Sequence, residues 1–123
     1  MKYRVIKRMN PLNKEEIKFY AAPQYMEDLT MLDLAKDISD ACTLNVTDVE
    51  AVLTSLVRKL PMYLKNGFKI QLGNFGRVKL SFSSKGCEKA EDVTASTITA
   101  KRILFTPSSE LKSEIENASF TQI

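Results

Sequence analysis

The chain has 123 residues, 44% of them apolar, which suits one compact soluble domain with at most a small appendage. It has no histidine and only two cysteines, Cys42 and Cys87; this removes the commonest general base and leaves too few ligands for a protein zinc site. Net charge is a modest +3, and no apolar run approaches the ~20 residues of a membrane span.

From the N-terminus, Lys2 to Met9 alternates, with Tyr3, Val5, Ile6 and Met9 apolar and Lys2, Arg4, Lys7 and Arg8 between them. That is a strand pattern. Asn10-Pro11-Leu12-Asn13 is a turn signal, and Ile17 to Ala21 predicts a second strand ending before Pro23. The two make a hairpin with a loop of about five residues. Residues 1–28 are therefore read as a β-hairpin extension and 29–123 as the main domain. The extension serves as an edge-covering addition or as an extra contact to DNA or protein.

Thr30 caps a first helix, with Asp33 near its positive end and Leu34, Ala35, Ile38, Ala41 and Cys42 at helical spacing. Thr43-Leu44-Asn45 closes it. Thr47-Asp48-Val49-Glu50 predicts a capping box for a second helix. Its stripe runs through Val49, Val52, Leu53, Leu56, Val57, Leu60 and Leu64, with Pro61 expected to kink it and Gly67 to end it. A DNA-reading second helix needs basic and polar residues near its start. This one begins with Asp48 and Glu50, so both helices read as scaffold. The stripe is wider than one small helix covers, which points to a partner chain.

Ile70 and Leu72, then Val78, Leu80 and Phe82, predict two strands around a Gly-Asn-Phe-Gly corner, with Asn74 and Gly76 suited to positive φ. One face is apolar and the other basic-polar. Residues 83–100 read as a long excursion. Thr97 to Phe105 is a returning strand, and Ser108 or Ser109 caps a last helix running through Leu111 and Ile115 toward Phe120.

The basic excess is local. Residues 67–106 carry seven basic and three acidic side chains, and residues 31–66 carry four and five. A basic block between near-neutral elements is the footprint of a polyanion surface, or else a solvated face. With no phosphate-binding glycine loop and no paired carboxylate motif, an enzyme is not expected, nor are a cofactor, a metal or a small-molecule substrate. No apolar segment follows the charged N-terminus, so the expected location is the cytoplasm, with reduced thiols and no membrane partner.

The element order, together with Lys-Ile-Gln-Leu-Gly-Asn-Phe-Gly at Lys69–Gly76 and Phe-Thr-Pro-Ser-Ser-Glu-Leu-Lys at Phe105–Lys112, resembles the HU/IHF family of bacterial histone-like DNA-bending proteins. The likeness covers about residues 29–115, and the whole chain looks like the longer HU-like variant with an N-terminal extension. The resemblance implies an α+β, intertwined homodimer: a two-helix base, a three-stranded antiparallel sheet with an extended β-arm, and a short C-terminal helix. It implies nucleoid-associated, sequence-independent binding of double-stranded DNA, with arms in the minor groove. Phe75 and Phe105 match core aromatics. Arg77, Lys79, Lys85, Lys89, Lys101 and Arg102 lie where the family's arms meet phosphate. The family's arm-tip proline has no counterpart, because no proline lies between Pro61 and Pro107. Glu88, Glu91 and Asp92 make the arm acidic, so weak bending is expected. The alternative is an HU-like dimerisation or protein-interaction module with reduced or lost DNA binding.

Overall fold

The computed structural model describes residues 1–123. The chain divides into two compact units, one made of Met1–Leu29 with Glu114–Ile123 and the other of Thr30–Ser113.

The first unit is a three-stranded sheet. Strand β1 (Lys2–Asn10) pairs antiparallel with β2 (Asn13–Gln24), and β1 also pairs in parallel with the short β6 (Thr121–Gln122). The hairpin turn is tighter than the sequence suggests: Asn10 faces Asn13 directly, and Asn10 Oδ1 accepts from Leu12 N at 3.0 Å. Strand β2 also continues through Pro23, opposite Tyr3, where the sequence suggested a stop. The order β2-β1-β6 leaves β2 at an edge, where a missing N–H costs no ladder bond. Arg4 Nη1 donates to the Pro23 carbonyl at 3.1 Å and holds that end in register. The C-terminal residues do not prolong the last helix to Phe120. Helix α3 (Ser109–Glu116) ends in tight turns, with Ala118 N donating to Ile115 O, and the chain then joins β1 as β6.

In the second unit, helices α1 (Met31–Ala41) and α2 (Val46–Lys65) pack together, burying Ala35 and Val49. Thr30 forms a reciprocal cap with Asp33: Thr30 Oγ1 accepts from Asp33 N, and Thr30 N donates to Asp33 Oδ2 at 2.9 Å. The cap of α2 is Asn45 and not Thr47, with Asn45 Oδ1 accepting from Asp48 N at 2.9 Å. Asn is among the strongest caps, and the chain is already helical at Val46, so Thr47 lies inside the first turn. Helix α2 runs on through Pro61 to Lys65, and Gly67 follows with φ 89°.

The second sheet has the order β3 (Ile70–Gln71), β4 (Gly76–Ser84), β5 (Ile98–Pro107), all antiparallel. At the corner before β4, positive φ falls on Gly73 (53°) and not on Asn74. Gly76 takes positive φ as expected, at 156°, and is required for a second reason: a Cβ there would stand 2.4 Å from Thr106 O and 2.7 Å from the Phe105 ring. That close approach lets the Phe75 and Phe105 rings meet, 5.2 Å between centroids. Ser108 ties the corner to α3. Its hydroxyl donates to the Asn74 carbonyl and accepts from Leu111 N, while Ser108 N donates to Phe75 O.

Candidate nucleic-acid interface

Strands β4 and β5 carry the basic block, and strand alternation sorts it. The register sets Arg77 opposite Thr106, Lys79 opposite Leu104 and Ser81 opposite Arg102. One face of this ribbon therefore presents Arg77, Lys79 and Arg102 with Leu104 and the hydroxyls of Ser81, Ser83, Thr99 and Thr106. All three cations are exposed. Gln71 of β3, opposite Arg77, extends the same face. No carboxylate belongs to it, and none of the three cations is ion-paired, since the chain's single salt bridge is Lys18–Glu16. Arg102 Nη1 donates to Ser83 Oγ at 2.9 Å, which aims the guanidinium along the ribbon and leaves further donors free.

The other three basic positions singled out in the sequence lie elsewhere. Between Ser81 and Ser83 the register shifts, with Ala100 at φ 33° and two residues, Ala100 and Lys101, facing Phe82 alone. This bulge places Lys101 with Phe82 and Ile103 on the opposite, apolar face. Adjacent in sequence, Lys101 and Arg102 thus do not act on one surface. Lys85 sits just past the last ladder pair, its N–H donating to Thr97 O at 2.9 Å. Lys89 precedes the short 3-10 turn Ala90–Asp92; a second such turn, Ala95–Thr97, leads into β5. Around Lys85 and Lys89 stand Glu88, Glu91 and Asp92, so the tip is slightly negative. The hydroxyls of Ser83 and Thr106 were not picked out in the sequence as part of the surface. Their signal was strand alternation: Ser83 shares the odd-numbered side of β4 with Arg77 and Lys79, and Thr106 the even-numbered side of β5 with Arg102.

The apolar face of the same sheet is not covered within the chain. Phe82 is 50% exposed and Ile103 56%, and on α2 Val52 is 62% exposed. Only Ala35, Val49 and Leu64 are buried apolar residues. No helix is long and apolar enough to cross a membrane.

Among curated proteins nothing matches the chain. Among solved structures it resembles a Bacteroides vulgatus protein provisionally described as a bacterial DNA-binding protein, with a TM-score of 0.60 and 12% identity. The likeness covers 99% of this chain and 48% of that one, so this chain spans about half the length of that protein. At such low identity the similarity is one of fold. The family described as an HU domain fused to wHTH, Ig, or glycine-rich motif matches residues 1–122. The matched span takes in the N-terminal hairpin, which the sequence motifs alone had left outside, along with the helical pair, the Gly73–Gly76 corner and the Ser108 tie. By that match, end to end, the chain belongs to this family of HU domains.

Proposed function

We propose that the chain is an architectural protein of the nucleoid that binds double-stranded DNA with little regard to sequence, as a homodimer. The observation that carries this is the exposed face bearing Arg77, Lys79 and Arg102 with four hydroxyls and no carboxylate. Arginine, lysine and hydroxyl side chains are the usual donors to phosphate oxygens, and such contacts position a protein without reading bases. Lys101, Lys85 and Lys89 add positive charge nearby, that of Lys85 and Lys89 being offset at the tip by Glu88, Glu91 and Asp92. As an extended arm, the ribbon beyond Ser84 reaches toward the minor groove, but its tip bears Glu88, Glu91 and Asp92 and has no proline to wedge between base pairs. Bending is accordingly weak.

The homodimer rests on a separate observation. The chain's accessible surface is 10645 Å². A folded monomer of its mass exposes about 6,700 Å², and roughly 7,900 Å² is expected even when the two units are counted apart. The excess includes the α2 stripe and the apolar face of β4–β5, the surfaces a second copy would cover.

The test is fluorescence anisotropy of a labelled duplex across a salt series. Three cations from each of two copies give six phosphate contacts, so this face contributes about −5 to the slope of log K against log salt. An unrelated duplex should give the same slope. Binding that ignores salt, or no binding at low salt, contradicts the proposal. The acidic tip favours one second reading, a dimeric protein-interaction module, for which the same titration would show no complex.

A further inference from the structure

The β1–β2 hairpin has two unlike faces. Its register puts Tyr3, Val5, Met9, Ile17, Phe19, Ala21 and Pro23 on one side with Lys7. The other side carries Lys2, Arg4, Arg8 and Lys18, with Ile6, Tyr20, Ala22 and Gln24 between them. Glu16 is the one carboxylate beside these four cations, and Lys18 pairs with it at 3.2 Å. Lys2, Arg4 and Arg8 have no ionic partner in the chain.

Two of the cations are held in place. Arg8 lies over the Tyr20 ring, 5.6 Å from its centroid, and Arg4 is fixed by the Pro23 carbonyl and Gln24 Oε1, each at 3.1 Å. Each keeps N–H donors free, since a guanidinium has five. Arg8, Asn10, Glu16, Lys18 and Tyr20 line one open depression of about 310 Å³, so they share a continuous surface. From Lys2 to Arg8 the strand rises about 20 Å, the length of some six base pairs. A two-stranded ribbon of this kind is also narrow enough to lie along a DNA groove.

From this we propose that the basic face of the hairpin is a second DNA-binding surface, in which Lys2, Arg4 and Arg8 bind backbone phosphates. It is separate from the β4–β5 face and adds its contacts to the same duplex. A polyanion fits because the cations form a line with a single neutralised carboxylate, and because most of the hairpin's apolar residues lie on the far side, with only Ile6, Tyr20 and Ala22 between the cations. The inference concerns a different unit of the chain from the face argued above, and the two can fail independently.

The test compares full-length variants by the salt dependence of duplex binding. Arg4→Ala with Arg8→Ala removes two contacts from each chain and four from the dimer; the slope should shrink by about 3.6, and binding at 0.1 M salt should weaken roughly 4,000-fold. Lys7→Glu makes the same change in net charge, −2, on the apolar face, and should leave the slope unchanged. Arg4→Lys with Arg8→Lys should restore the slope, which separates lost charge from a damaged hairpin. If the double alanine variant keeps the full slope while Arg77→Ala with Arg102→Ala loses it, the hairpin proposal is overturned and the β4–β5 reading stands. If the hairpin variant loses slope and the Arg77/Arg102 variant does not, the hairpin proposal stands and the other falls. If Lys7→Glu weakens binding as much as the double variant, only overall charge matters and the hairpin face is not a site. Should the hairpin cations govern binding to phosphatidylserine vesicles and not to duplex, the partner is a membrane surface and the proposal is likewise overturned.

Discussion

Gly76 and Asp33 show how much single positions decide. A methyl group at Gly76 would press on backbone at 2.4 Å and on the Phe105 ring, neither of which can swing aside cheaply. Gly76→Ala should destabilise by about 1–3 kcal/mol, as overpacking does. Gly86 has nothing within 4 Å of a built Cβ, so Gly86→Ala should stay within about 0.5 kcal/mol. Urea unfolding of both variants checks this, and equal midpoints would contradict the packing argument. Asp33 is held below the ordinary aspartate range, first by the Thr30 backbone N–H and then by the Thr30 hydroxyl. A lowered folded pKa contributes stability that is present above the ordinary value, near 3.9, and lost as pH falls through the lower folded value. The urea midpoint should therefore drop on acidification through that window, and Asp33→Asn should show a smaller drop. Glu16, lowered by Asn10 and then Lys18, adds to the background fall in both proteins.

At the scale of elements, alternation along β4 was legible in the sequence, and so were both helices and the hairpin. The bulge was not: its signal is a register shift between strands fourteen or more residues apart, fixed by where Ser83 meets Thr99. Reading Lys101 and Arg102 as one basic pair missed that consecutive strand residues face opposite ways. Arg102→Glu should therefore weaken duplex binding at least tenfold more than Lys101→Glu, and equal losses would contradict the assigned faces. The α2 cap was misplaced by two residues because Asn45 and Thr47 are both competent caps and only the backbone decides between them. Strand β6 was hidden because two residues carry no periodicity, and its partner Lys2–Tyr3 lies at the far end of the chain. The corner glycine Gly73 was legible as a turn, but its neighbour Asn74 took the credit for its φ.

At the scale of the whole molecule, the wide α2 stripe already pointed to a partner chain, and the structure buries Val49 and Leu64 of that stripe but leaves Val52, Leu56 and Val57 exposed. Val52, 62% exposed in the single chain, would be a neutral site for a polar residue if the protein worked alone. If a second copy covers it, Val52→Asp lowers the thermal midpoint by several degrees, and the midpoint of the parent chain rises with protein concentration. The DNA reading needs the same pairing, because one ribbon face supplies only three aligned cations and two copies supply six. Sedimentation of the chain with a labelled duplex at low salt tests both together. The account predicts a free species of twice 13.9 kDa at micromolar concentration and a complex of two chains on one duplex. A free species of 13.9 kDa, or a duplex that sediments alone, would contradict it.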